Sequence, residues 1–329
     1  MTPAAAVPRA STLRQVDRLF RDRPVVPLVA LLALLVLLYE VARPGVVGPT
    51  WASGIVAFAI PLAILAACQT LTMLTGGIDL SVGAVASMAG FVTATFVAQP
   101  GGWELGVVIA LAAALAAGLL NGVGVGVFRV HPLIMTLGVG LVVLGLANAW
   151  QIATVTSSTG VPEQIRTLGS DRFLDIFPYS LVFFAPLALI ILVGLRRTGY
   201  GRLLYAVGDN PIAARLSGAR AWQVLVVLYM ISALMAALAG ILLMGLTNVA
   251  SVTLADSLVL PSVAAAVIGG TSIMGGRGGY GGTLVGALIL QVISALLTAL
   301  GQPEAVRQIL FGAIVVLVAA AYTRVTAES

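Results

Sequence analysis

Residues 74–83 read LTGGIDLSVG and set one carboxylate, Asp79, behind Gly76 and Gly77, between two apolar runs. A carboxylate in that place has two uses. Once the glycines have ended the preceding helix, it can accept the free N–H groups at the positive end of a helix that begins at Leu80. It can also be presented to a solute, because transporters use interrupted helices to expose polar groups. The residues leave both roles open, and the two are compatible. Gln69, Thr72, Ser81, Asn121, Asn148, Gln151 and Gln291 lie in or beside the same apolar segments. Each would be costly facing lipid, so they are expected to face a water-filled path or other helices, where hydrogen bonding between helices is the plainer use.

The rest of the chain offers little chemistry. His131 and Cys68 are each the single residue of their type, too few for a metal site of imidazole and thiolate ligands. His131, beside Pro132 at a segment boundary, reads as structural, and a lone cysteine rules out an internal disulfide. One histidine, one cysteine and scattered acids supply no nucleophile, base and orienting group together, so catalysis is not expected. All 17 basic residues are arginines, whereas the phosphate loop of ATP-hydrolysing proteins needs a lysine. The glycine-rich GGTSIMGGRGGYGG at 269–282 is therefore expected to make a tight turn and close helix contacts. Gradient-driven carriers usually hold several ionisable groups inside the membrane. Here Asp79 is nearly alone, with Glu40, Glu104, Asp256 and Glu304 near segment ends. ATP-derived energy would have to come through a partner, and ATP and magnesium would sit there, since this chain is expected to bind no cofactor.

The elements that must position these residues are membrane helices. The 329-residue chain is 60% hydrophobic and 9% charged, with a mean hydropathy of +1.10, against roughly 25% charged in a soluble domain. Apolar segments run at about 25–42, 51–74, 80–98, 105–128, 132–155, 178–195, 222–246, 256–270, 281–300 and 304–323. They are rich in Leu, Ala and Val without the alternation of a barrel strand, so the expected fold is all-α and polytopic, with about ten transmembrane helices and a break near 75–79. The expected organisation is a basic N-terminal segment at 1–24, read as leading into an uncleaved anchor, a transmembrane domain at 25–323 and a tail at 324–329. With both termini cytoplasmic, 13 arginines fall inside and four, Arg43, Arg166, Arg172 and Arg307, fall outside, the asymmetry of a bacterial inner-membrane protein. That topology accounts for the pI of 9.9 without a nucleic-acid partner.

Two loops exceed the short connections. The outer one, 156–177, is polar and long enough to fold over the mouth of a pathway. The inner one, 196–221, contains NPIAARLSG, in which Asn210 can cap a helix, Pro211 suits its first position and Gly218 can end it in a left-handed conformation. The pattern predicts a two-turn cytoplasmic helix at 211–217. A helix so short needs packing to persist, so it is expected to dock against something.

Three ordered motifs then carry a resemblance: LTGGIDLSVGAV at 74–85, YAVGDNPIAARLSG at 205–218 and AAVIGGTSIMGGRGGYGGTLVGA at 265–287. Over about residues 25–323 the chain resembles the permease subunits of ribose-type ABC importers, which serve monosaccharides and related polar solutes. The resemblance implies a permease paired with a second copy or a paralogue, cytoplasmic ATPase subunits and a periplasmic or extracellular sugar-binding protein. It also implies that the short inner helix is the coupling helix, similar to the E-A-A-x-x-x-G motif over Ile212, Ala213, Ala214 and Gly218. Ile212 departs from the acid of that motif, so an ion pair there is not expected. Small Ala213 and Ala214 entering a groove, with Asp209, Asn210 or Arg215 giving polar contacts, is the form of docking that remains. Arg215 also reads as an ordinary inside-positive residue.

Three functions follow as alternatives. The first is a sugar-importer permease without ATPase activity of its own. The second is the permease of a branched-chain amino-acid or nucleoside importer, which the glycine breaks equally permit. The third is a stand-alone carrier or channel, against which the shortage of interior ionisable groups counts.

Overall fold

The computed structural model describes residues 25–327 apart from 100, 155–159 and 175, so the expected N-terminal segment at 1–24 lies outside the described residues. Among the described residues the chain is helical apart from its connecting turns and one two-stranded hairpin. Helices α1 (Val25–Ala42), α2 (Pro49–Leu74), α3 (Val82–Thr95), α4 (Gly102–Gly126) and α5 (Pro132–Thr154) form the first half. The connection that follows holds α6 (Glu163–Ser170) and the antiparallel pair β1 (Arg172–Phe173) and β2 (Phe177–Pro178). The second half has α7 (Tyr179–Arg197), α8 (Gly199–Asp209), α9 (Pro211–Leu216), α10 (Ala221–Thr247), a 3-10 turn (Asp256–Leu258), α11 (Val259–Ile268), α12 (Tyr280–Ala299) and α13 (Glu304–Ala327).

The expectation of about ten transmembrane helices is corrected here. Among the described residues seven helices, α1, α2, α4, α5, α7, α10 and α12, are long and apolar enough to cross a membrane. The expected span at 304–323 lies within α13 and is not among the seven, and those at 80–98 and 256–270 contain helices of 14 and 10 residues, about 21 and 15 Å at 1.5 Å per residue, against a hydrocarbon core of about 30 Å. The reason is local: α3 starts only after the break has consumed residues up to Ser81, and α11 is shortened by the 3-10 turn before it and by Gly270, whose φ is +87°, after it. Apolar composition continues through these turns, which is why hydropathy overstates the helices.

The core lies where α10 packs on α2, α3 and α4, with α12 closing over α2 and α11 on the far side. Close approach of α4 to α10 depends on Gly118, Gly122 and Gly126, one per turn on one face. A methyl carbon placed at Gly118 would stand 2.6 Å from the Tyr229 carbonyl, at Gly122 2.6 Å from the Val226 Cα, and at Gly126 2.9 Å from the Trp222 carbonyl. Small residues at this spacing let backbones touch in lipid, where helix association rests on packing. Gly122→Ile should force the pair apart at a cost of about 1–3 kcal/mol, seen as a lower thermal midpoint and less monodisperse protein in detergent; an unchanged midpoint would contradict the contact.

Arginines collect at the two ends of the bundle. Arg129, Arg196, Arg197, Arg202, Arg215, Arg220 and Arg277 lie in the connections at one end, tied together by Tyr200 Oη donating to the Val224 carbonyl at 3.0 Å and Tyr205 Oη to the Gly278 carbonyl at 2.9 Å. At the other end, Arg43 donates through Nε to the Ala299 carbonyl at 3.1 Å. Arg166 there pairs with Glu163, holding that carboxylate below its ordinary range through their hydrogen bond.

Candidate functional site

The break between α2 and α3 follows from its glycines. After Leu74 the chain closes α2 with two reversed hydrogen bonds, Gly76 N–H to the Met73 carbonyl at 2.9 Å and Gly77 N–H to the Thr72 carbonyl at 3.0 Å. This helix-ending motif requires a left-handed residue, and Gly76 has φ +77°. Gly77 is hemmed in, since a methyl carbon there would lie 2.9 Å from Tyr229 Oη and 3.2 Å from the Pro132 ring.

Polar side chains then hold the unwound segment. The Gln69 amide reaches from the last turns of α2, donating to the Asp79 carbonyl at 2.8 Å and accepting the Asp79 N–H at 3.2 Å. Thr136 of α5 donates to the Ile78 carbonyl at 3.2 Å and accepts from Leu80 N–H at 3.1 Å. Backbone groups that no helix satisfies thus find side-chain partners, as irregular backbone at membrane depth must.

Asp79 itself is 1% exposed. Its Oδ1 accepts from the Ser81 N–H at 3.0 Å and the Ser81 hydroxyl at 2.5 Å, and its Oδ2 from the Ser232 hydroxyl of α10 at 2.8 Å. Asn121 of α4 donates to the Ser81 hydroxyl at 2.9 Å. The carboxylate therefore joins the start of α3 to α10 and, through Ser81, to Asn121 of α4, and it is buried in this conformation. The helix begins at Val82, two residues beyond the expected Leu80.

The remaining expected pathway residues do not converge on this cluster. Thr72 is buried and donates to carbonyls of its own helix, those of Cys68 and Gln69. Asn148 sits on the exposed side of α5, donating to the Leu144 carbonyl at 2.9 Å. Ser232 and Thr136 were not singled out from sequence. Both are ordinary-looking residues of apolar segments, and no local signal distinguishes them.

At the arginine-rich end, α9 is built as its residues dictate. Asn210 Oδ1 accepts from Ile212 N–H and Ala213 N–H, both at 3.0 Å. Gly218, with φ +88°, lets its own N–H reach the Arg215 carbonyl and Ala219 N–H the Ala214 carbonyl. The helix spans Pro211–Leu216, one residue shorter than the sequence pattern suggests. Ala214 is turned into the bundle at 7% exposure, Ala213 is exposed, and Ile212 and Leu216 stand out at 65% and 85% exposure. Asp209, Asn210, Ala213, Ala214 and Gly218 border a groove of about 710 Å³ between α8, α9 and α10. The helix α8 before it was not anticipated. Its signal was Thr198, whose hydroxyl accepts from Gly201 N–H at 3.1 Å.

The glycine-rich connection after α11 braces this end. Gly276 N–H donates to the Leu74 carbonyl at 3.0 Å, and Gly208 of α8 lies so close to both that no side chain fits there. The last turn of α2, and with it the break, is thereby in direct contact with the segment leading to α9. Among the described residues no group of three or more histidine, cysteine or carboxylate side chains is placed to hold a metal.

The sequence is similar to several proteins whose names describe sugar-import permeases. The fructose import permease protein FrcC of Rhizobium meliloti is 34% identical over 263 residues, covering 78% of this chain and 73% of that protein. The ribose import permease protein RbsC of Escherichia coli K12 is 36% identical over 264 residues, covering 78% and 80%, and that of Bacillus subtilis is 30% identical over 285 residues, covering 87% and 88%. No solved structure matches significantly. The profile of the family described as the branched-chain amino acid transport system permease component matches residues 51–319. Such a permease works within an ABC import system, which implies an ATPase and a binding protein beside it. This chain belongs to that family of ABC-importer permeases.

Proposed function

We propose that this permease takes a monosaccharide or closely related polar solute from a sugar-binding protein outside the cell and passes it to the cytoplasm, driven by partner ATPase subunits. The observation that carries the sugar assignment is the extended likeness to permeases named for fructose and ribose import. The arginine-rich end is taken as cytoplasmic, with both termini on that side of the bacterial inner membrane, by the excess of arginine there.

In this reading α9 is the coupling helix. Ile212 and Leu216, one turn apart and exposed, are the apolar knobs that enter the ATPase. Asn210 and Gly218 fix the two ends of the helix, Ala214 seats it on the bundle, and Ala213, Asp209 and Arg215 contact the partner around the knobs. A displacement of α9 reaches the break through α8, Gly208 and the end of α2. The cluster of Gln69, Asp79, Ser81 and Asn121 holds the break in shape, and Thr72, Gly76 and Gly77 shape its edge. A second copy or a paralogue completes the path, and Asn148, on the exposed side of α5, is placed to face it.

A second reading, a branched-chain amino-acid importer, is favoured by the description of the matching family. ATPase turnover of the co-purified complex in nanodiscs decides between them. Stimulation by a ribose- or fructose-loaded binding protein is expected; stimulation only by a leucine-loaded one would transfer the assignment.

A further inference from the structure

Opposite the groove beside α9, on its other flank, lies a second cleft of about 690 Å³, bordered by α9, the start of α10 and the turn between α4 and α5. Three arginines from three different elements line it, Arg129, Arg215 and Arg220, and no aspartate or glutamate does. None of the three has a carboxylate partner among the described ion pairs. Arg129 stands at φ +56°, a left-handed conformation that is uncommon outside glycine and costs of order 1 kcal/mol or more. The helix α10, 27 residues long, begins at this cleft with no side-chain cap and no acid in its first turn.

The inner wall of the cleft ends at a tyrosine whose hydroxyl stands beside Gly77, at the helix break. Tyr229 lines the same cleft, is 0% exposed, and its hydroxyl has no hydrogen-bond partner. Buried hydroxyls are rarely left so. Three guanidinium groups without a carboxylate partner, of which Arg215 also donates through Nε to the Pro211 carbonyl at 3.3 Å, and the positive end of a long helix border one cleft. The chemistry that suits the arginines and the helix start is a phosphate oxyanion, which arginine forks bind in a bidentate manner and helix starts favour.

We propose that this cleft binds a phosphate-bearing anion. Its source is either the headgroup of an anionic lipid or a soluble phosphate compound, since basic pockets between membrane helices take phosphate headgroups. Through Arg215 the bound anion ties α9 to the bundle, so its occupancy sets how freely that helix moves.

The test uses the full chain in nanodiscs, with Trp222 fluorescence as the probe, because Trp222 lines the cleft. Inorganic phosphate is titrated into phosphatidylcholine discs at constant ionic strength. In the second arm, phosphatidylglycerol is raised from none to about a third of the lipid. A saturable change is expected in at least one arm, and the arm that responds names the source. Arg129→Gln and Arg220→Gln should each raise the half-saturation point about tenfold, the weight of one charge-assisted hydrogen bond. Both side chains are exposed, so neither substitution is expected to disturb folding. No change in either arm, a change indifferent to both substitutions, or one that survives Trp222→Phe overturns the proposal. Neither ATP nor a binding protein is present, so a negative result leaves the import reading intact, and failure of import leaves this site to be judged separately.

Discussion

Asp79→Ala is expected to abolish the assembled permease, while Asp79→Asn is expected to keep it. The alanine variant removes the acceptor for the Ser81 N–H, the Ser81 hydroxyl and the Ser232 hydroxyl, all inside a fully buried cluster. Buried donors left unpaired cost about 1–3 kcal/mol each, so the loss is on the order of 3–5 kcal/mol, a large part of a typical folding margin. Asparagine keeps one carbonyl oxygen for both Ser81 donors and can donate its amide to the Ser232 oxygen. Gel filtration of the detergent-extracted variants and sugar uptake by cells expressing them separate the cases. Aggregated alanine variant and near-normal uptake for the asparagine variant are the expected pair. A well-folded asparagine variant with no uptake would instead assign the charge of Asp79 to the solute or to the transport cycle.

The second large effect is expected from Leu216→Asp. Leu216 is 85% exposed at the end of a two-turn helix whose caps are complete, so the substitution leaves the fold alone. A carboxylate introduced into an apolar docking contact costs about 2 kcal/mol or more, roughly a thirtyfold loss of affinity for the ATPase. Co-purification of the ATPase should fail while the permease keeps its thermal midpoint. Retained co-purification and sugar-stimulated ATP hydrolysis would show that α9 docks by another face.

These two sites differ in how far their sequences announce them. The cap at Asn210, Pro211 in the first turn and Gly218 after the last are local signals, and local geometry is set by the residues that display it. The break was legible for the same reason, because only a glycine settles easily at the φ of +77° found at Gly76. The partners of Asp79 were not legible. Ser232 is 153 positions away and Thr136 is 58 from the carbonyl it meets, and nothing in an apolar run marks which serine will face which helix. Helix lengths failed for a related reason. Lipid requires apolar side chains whether the backbone is helical or turning inside a protein shell, so hydropathy ran through the turns around α3 and α11. Arg129, Arg215 and Arg220 each read from sequence as inside-positive residues, and Arg215 also as a docking contact of the short inner helix. They share a cleft only because the glycine face of α4 fixes where α10 begins. The helix α8 was hidden by the poor helix formers Gly199 and Gly201 at its start, which the Thr198 cap and the packing of Leu204 and Val207 offset.

The central claim is that this chain conducts a sugar only when coupled to ATP hydrolysis by another protein. It is tested most directly by uptake of radiolabelled ribose or fructose into proteoliposomes that contain the permease with its co-purified ATPase and the sugar-binding protein on the binding-protein side. Accumulation above the external concentration with ATP on the ATPase side, and none without ATP, is the predicted result. Uptake by the permease alone, driven by the sugar gradient and indifferent to ATP, would contradict it and leave α9 without its proposed role.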